Sequence, residues 1–351
     1  MKLSGFFDVN PEKIMTATLI YEIVRPMSDS TILNYLLFLP GFFLLLKGAD
    51  WLVQGAISLA RRMQISDLVI GLTLVSMGTS APELAVNISA SYQGSPDLAI
   101  GNVLGSNAAN ILLILGVCAV IRPLTVTDST VWKEIPFSLL AAGLVVILAN
   151  DLYLNGEGRN VIARNDGLVL WGFFIIFFYY IFSLARNGHY APDDDMPESG
   201  LSIPRSVIYV IVGLIALPVG GHWIVNGAVE IARAFQISES FIGVTVLAIG
   251  TSLPELAASG MATYRGNSEL AIGNVVGSNI FNILFVLATS AVLLPLPFSL
   301  DSNIDALVVV LASLMLFSFL FIGRRNVLDR GQGVVFLVFY IVYIGFRYSG
   351  G

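Results

Sequence analysis

Charge is scarce in this chain. Only 12% of its 351 residues are Asp, Glu, Lys or Arg, about half the share of an ordinary soluble domain. Cys118 is the single cysteine, so no disulfide forms within the chain. His189 and His222 are the only histidines, too few for a His/Cys zinc cluster. No basic run interleaved with aromatics points to nucleic acid. No HExxH, His–Ser pair or paired catalytic aspartates lie in the apolar stretches, which argues against an enzyme. Ten-residue segments of alternating hydrophobicity are also missing, and with them the pattern of a membrane β-barrel. The first thirty residues carry Lys2, Lys13 and Arg25 and no clean apolar core of a signal peptide.

What is abundant is apolar surface. Hydrophobic residues make up 56% of the chain and its mean hydropathy is +0.82. Runs long enough to cross a bilayer recur throughout, which predicts an all-α polytopic membrane protein. Ten spans are expected, at about 33–60, 66–92, 97–120, 131–150, 167–186, 205–233, 239–264, 269–294, 303–323 and 332–348. The most polar central stretch holds Asp193, Asp194, Asp195 and Glu198 among prolines. The expected organisation is an N-terminal extension (1–30), a first five-helix half (31–186), an acidic linker (187–204) and a second five-helix half (205–351).

The halves are copies. Residues 65–124 align without a gap on 237–296, a constant offset of 172, and about half the aligned positions are identical. Upstream, Gly48, Trp51, Gly55 and Arg61 match Gly220, Trp223, Gly227 and Arg233. Five spans per copy is an odd number, so the second copy enters the membrane reversed. That is an inverted-topology repeat, a mark of secondary transporters. With the N-terminus outside, ten Lys/Arg residues beyond the extension face the cytoplasm, against four outside (Arg159, Arg164, Arg233 and Arg347). This bias predicts both termini outside and the linker in the cytoplasm.

Two motifs recur at the offset. Gly78-Thr79-Ser80-Ala81-Pro82-Glu83 matches Gly250-Thr251-Ser252-Leu253-Pro254-Glu255, each mid-span. Proline has no amide hydrogen to give the carbonyl four residues back, so each span is expected to break there. Freed carbonyls at the end of the first half-helix suit a cation. An ionised carboxylate at membrane depth costs about 2.5 kcal/mol or more, and neither motif contains a lysine or arginine to offset it. The same spacing also fits capping boxes, Ser80 with Glu83 and Ser252 with Glu255.

The second motif puts Asn102, Ser106 and Asn110, and equally Asn274, Ser278 and Asn282, four residues apart on one helical face. Gly101/Gly105 and Gly273/Gly277 permit close helix approach. Such a face is either polar glue between helices or ligand. Together the carboxylates, hydroxyls, amide oxygens and carbonyls form a hard oxygen set, suited to Ca2+ and Na+.

At these residues the chain resembles the cation/Ca2+ antiporter superfamily and, within it, the prokaryotic sodium/calcium exchangers, over roughly residues 33–348. The resemblance implies that Thr79, Glu83, Thr251 and Glu255 bind Ca2+. It implies Na+ sites completed by Ser80, Ser106, Ser252 and Ser278 with the carbonyls of Ser76 and Ala248, and Asn110 and Asn282 lining the middle. Some relatives, K+-dependent ones among them, carry aspartate where this chain has Asn282, which puts K+ transport in doubt. The implied partners are ions and lipid, with no cofactor, and the implied location is a prokaryotic inner membrane.

The expected function is therefore Ca2+/Na+ antiport by alternating access. An empty site carrying two charges would cross the barrier at high cost, so only loaded forms reorient. The resemblance further implies a slide of the first and sixth spans against the rest. Two alternatives stay open at this point: a Ca2+/H+ antiporter using the same glutamates, and a cation channel lined by them. Asp50 and His222 occupy matching places in the repeats and read as structural or mouth-lining.

Overall fold

The computed structural model describes residues 29–156, 159–187, 201–236 and 248–350. The chain runs α1 (Asp29–Met63), α2 (Asp67–Thr79), α3 (Ala81–Tyr92), α4 (Pro96–Ile121), α5 (Thr130–Leu148), α6 (Asp151–Asn155) and α7 (Arg164–Asn187). The second half runs α8 (Ile203–Ala234), α9 (Ala248–Thr251), α10 (Leu253–Tyr264), α11 (Ser268–Leu293), α12 (Leu300–Phe319) and α13 (Arg330–Gly350). Eight of these helices are long and apolar enough to cross a membrane, and α2 with α3, bent by 44° at their break, make a ninth. The expected span at 239–264 begins outside the described residues, and α9 and α10 are its described part. The N-terminal extension up to residue 28 and residues 188–200 of the acidic linker also lie outside them.

Burial separates inner from outer helices. The apolar windows of α4 and α11 are 72% and 83% buried, against 17% for α7 and for α13. Ile175, Ile176 and Tyr179 on α7 and Ile341 and Val342 on α13 are exposed. Large apolar side chains turned outward on peripheral helices are the belt that lipid covers. The chain is thus an integral membrane protein with two central helices.

Two apolar cores hold it together. The larger joins α2–α5 and α7 to α11–α13. The smaller joins α1 and α8 to the sides of α2, α10 and α11. Helices α1 and α8 pack along each other more extensively than any other described pair. A Cβ on Gly213 would lie 2.7 Å from the Gly48 carbonyl oxygen, and one on Gly41 would lie 3.0 Å from that of Gly220. Only glycine lets the backbones come this close. These contacts are reciprocal, because 41 and 213, and 48 and 220, are each 172 apart.

The same reciprocity appears in the strands. β1 (Leu124–Thr125) pairs antiparallel with β4 (Val327–Leu328), and β2 (Val161–Ile162) with β3 (Leu296–Pro297). Each two-stranded sheet takes one strand from each half. Reciprocal contacts of this kind are what an approximate two-fold axis between repeats produces.

Gly273 and Gly277 make the expected close approach, with Cβ positions 2.8 Å from Leu68 O and from Leu72 Cα on α2. For Gly101 and Gly105 no described atom lies within 4 Å, and the residues matching Leu68–Gly71, at 240–243, are outside the described set.

Candidate functional site

Both acidic motifs break their helices at one residue. Ser80 (φ −84°, ψ 7°) separates α2 from α3, and Ser252 (φ −87°, ψ 1°) separates α9 from α10. Pro82 and Pro254 then stand in the first turn of the following helix, where a missing amide hydrogen breaks no intrahelical bond. Glu83 and Glu255 follow at once, 0% and 1% exposed.

The capping-box reading is overturned. Neither serine makes a side-chain cap. Ser80 Oγ donates instead to Glu255 Oε1 of the other half at 3.0 Å, and both Glu83 carboxylate oxygens are without a hydrogen-bond partner among the described residues. The serine is drawn across the bundle because an ionisable oxygen there needs a donor more than a half-helix amide does.

A layer of amides ties the halves together around this point. Asn110 Nδ2 donates to Asn279 Oδ1 (2.9 Å), and Asn282 Nδ2 to Asn107 Oδ1 (3.2 Å). Asn107 and Asn279 also exchange bonds with each other's backbone carbonyls, at 3.2 and 3.4 Å. Asn102 Nδ2 holds Asn87 Oδ1 at 2.6 Å, and Asn274 Nδ2 holds Ser259 Oγ at 2.8 Å. Thr79 Oγ1 donates to Asn274 Oδ1 at 3.2 Å. Polar glue is therefore the role of Asn102 and Asn274, while Asn110 and Asn282 combine glue on nitrogen with an oxygen left over. Sequence reasoning missed the parts played by Asn87, Ser259, Asn107 and Asn279. Their polar identity at matching positions 172 apart was the available signal.

Eight buried oxygens at the expected residues have no partner among the described residues: both of Glu83, Glu255 Oε2, Oγ of Ser106, Ser252 and Ser278, and Oδ1 of Asn110 and Asn282. Each unsatisfied polar atom costs about 1–3 kcal/mol, and more when charged. Glu83 and Glu255 are also near enough for their charges to repel. Oxygens of both halves, including two carboxylates, are the donor set of a hard cation. Thr251 is half-buried and closes α9. Ala248 begins α9, and its backbone is described. The Ser76 carbonyl already accepts from Ser80 N (3.0 Å) and Thr79 Oγ1 (3.3 Å), so both its lone pairs are engaged.

A cavity of about 780 Å3 adjoins the motifs, lined among others by Pro82, Asp97, Asn102, His222, Thr251 and Pro254. His222 bonds Asn226 at 3.0 Å. Its repeat partner Asp50 ion-pairs with Arg265 instead, accepting from Nε at 2.9 Å.

Broken helices, a buried carboxylate pair and an oxygen-only donor set define a membrane protein built to handle cations. Comparison with known proteins makes the class specific. The model of the sodium/calcium exchanger protein family matches residues 33–183 and 205–349, one stretch in each half. The chain is 38% identical over 320 residues to the putative antiporter CaxA of Alkalimonas amylolytica, covering 88% of this chain and 96% of that one. It is 32% identical over 343 residues to the sodium/calcium exchanger MaX1 of Methanosarcina acetivorans, covering 89% and 97%. A solved structure of the sodium-calcium exchanger NCX_Mj superposes with a TM-score of 0.76 at 36% identity, covering 90% of this chain and 99% of that one. The chain belongs to the sodium/calcium exchanger family, within the cation/Ca2+ antiporter superfamily.

Proposed function

We propose that this chain exchanges Ca2+ for Na+ across the membrane by alternating access. It does so with ten spans arranged as two inverted five-helix repeats, 31–186 and 205–351, joined by a cytoplasmic acidic linker (187–204). Both termini lie outside a prokaryotic inner membrane. The observation that carries the reading is the set of eight buried oxygens, on Glu83, Glu255, Ser106, Ser252, Ser278, Asn110 and Asn282, that have no partner among the described residues.

In this reading Glu83 and Glu255, with Thr79 and Thr251, hold Ca2+. Ser80, Ser106, Ser252 and Ser278, with the Ser76 and Ala248 carbonyls, complete flanking Na+ sites, and Asn110 and Asn282 line the middle. Thr79 must turn to release the Ser76 carbonyl before that oxygen coordinates. Ca2+ takes about 6–8 oxygens in flexible geometry, within reach of this inventory. The two negative charges bind one Ca2+ or two Na+, and a third Na+ makes the cycle electrogenic. Asn282 in place of a carboxylate disfavours K+ cotransport. The extensive packing of α1 along α8, which meet α2, α10 and α11 through a smaller apolar core of their own, supports sliding of that pair against the remaining helices.

Ca2+/H+ exchange needs only the carboxylates and would leave the unpartnered serine hydroxyls without a role. The test is ⁴⁵Ca²⁺ uptake into proteoliposomes under imposed Na+, H+ or K+ gradients. Uptake on a Na+ gradient alone is expected. Uptake that follows only the pH gradient sinks the Na+ assignment, and conductance far above carrier turnover indicates a channel.

A further inference from the structure

A carboxylate–tyrosine arrangement is built twice in this molecule, away from the central oxygens. In the second half, Tyr343 on α13 donates to Asp305 on α12 at 2.8 Å. Arg347, one turn further along α13, brings its Nε to the same carboxylate oxygen at 3.2 Å. In the first half, Tyr180 on α7 donates to Glu134 on α5. The residue one turn beyond Tyr180 is Leu184, so the guanidinium has no counterpart.

Glu134 reaches this position through a local change in the helix. Both helices start from the same kind of cap: Thr127 with Thr130 before α5, and Ser299 with Ser302 before α12. Asp305 lies three residues past Ser302, whereas Glu134 lies four past Thr130. The extra residue is absorbed by a π-helical turn over Thr130–Glu134, and α12 is regular throughout. Single π turns of this kind recur at functional positions.

The result is an uncompensated site. Glu134 is 0% exposed and makes no ion pair among the described residues. Its Oε2 has no hydrogen-bond partner among the described residues, and the Ser129 hydroxyl stands within hydrogen-bond reach of the Tyr180 hydroxyl. Lys133 does not fill the gap: its ammonium sits over the Tyr180 ring, 5.9 Å from the centroid. A buried carboxylate without a counter-charge is strongly disfavoured. In the second half the protein supplies that charge as Arg347.

We propose that Glu134, Ser129 and Tyr180 form a further cation site, which takes a monovalent ion where the other half carries Arg347. The donor atoms are all oxygens, the choice of hard cations. One carboxylate charge matches one monovalent charge, and a divalent ion would leave excess positive charge beside Lys133.

The test is equilibrium binding of ²²Na⁺, and of ⁸⁶Rb⁺ as a K+ probe, to the purified full-length chain. Glu134→Gln is expected to bind one monovalent ion fewer than wild type. Leu184→Arg, which copies the Arg347 arrangement, is expected to show the same loss while keeping its fold. Its thermal midpoint should also lose part of the salt dependence seen in wild type. Wild-type stoichiometry for both ions in both variants overturns the proposal. The central site is scored separately, because Glu83→Gln/Glu255→Gln should retain the Glu134-dependent ion. Loss of that ion in the double variant, with wild-type binding in Glu134→Gln, also overturns it.

Discussion

The two acidic motifs are nearly identical in sequence and unlike in their bonding. Glu255 receives a hydrogen bond from Ser80 of the other half. The matching bond, from Ser252 to Glu83, is not made, and among the described residues Ser252 Oγ and both Glu83 oxygens stand unpartnered. Asp50 is held by Arg265, while its counterpart His222 turns to Asn226 on its own helix. Helix α8 also touches both motif glycines. A Cβ on Gly78 would collide with Leu214, and one on Gly250 with Val225. The ligand types are thus symmetrical and their packing is not. Under the proposed alternating-access cycle that asymmetry is expected, since the two states of an inverted-repeat carrier exchange the environments of the halves.

The largest break in the comparison is removal of either carboxylate charge. Glu83→Gln and Glu255→Gln are each expected to lower Na+-driven ⁴⁵Ca²⁺ uptake at least about 100-fold. Interactions with ionised groups at membrane depth are worth several kcal/mol, and 1.4 kcal/mol is tenfold. Wild-type uptake in either variant removes that residue from the site.

Next is the packing of α1 on α8. Gly213→Ala places a Cβ 2.7 Å from the Gly48 carbonyl oxygen. Overpacking of this kind costs about 1–3 kcal/mol, so a clear fall in thermal midpoint is expected. Gly172→Ala on the exposed face of α7, where no described atom lies within 4 Å, should leave the midpoint unchanged. Equal effects would show that the α1–α8 contact is not tight.

The serines sharpen the comparison further. Ser80→Ala deletes the donor to Glu255, a charged-group hydrogen bond worth about 1.5–3 kcal/mol. The Ca2+ concentration for half-maximal uptake should shift about tenfold or more. Ser252→Ala deletes no bond formed in this arrangement and should shift it less. The reverse order would mean that Glu83, not Glu255, is the supported carboxylate during transport.

The smallest effect is expected at the Asp50–Arg265 pair, whose side chains are 19% and 37% exposed. Exposed ion pairs contribute about 0–1 kcal/mol. Arg265→Gln, which installs the residue found at the matching Gln93, should change uptake rate only a few-fold. A collapse of uptake would identify the pair as essential to the cycle.

Much of this architecture is legible in the sequence because its signals are local. Apolar run length sets the spans, and the break at Ser80 follows from Pro82 lacking an amide hydrogen. The duplication is read directly from the offset of 172. Glu83 and Glu255 stand out because an uncompensated carboxylate in an apolar run has no cheap structural explanation. The capping box, the competing local reading, gives way because a partner on another helix takes the serine. Asn107 and Asn279 escaped assignment for a related reason. Their importance lies in contacts 172 residues away, which no spacing along one helix reveals.

By itself, then, the sequence determined the membrane class, the repeat and the oxygen chemistry of residues 78–83, 102–110 and their copies. These depend on hydrophobicity, proline geometry and ligand type, each carried by a short stretch of chain. Only the tertiary structure decided that Ser80 serves Glu255, that Arg347 neutralises Asp305, and that among the described residues Asn110 and Asn282 keep an oxygen unpartnered and Glu134 has no such counter-charge. Those outcomes depend on which atoms of distant segments come within hydrogen-bond distance, and packing alone sets that.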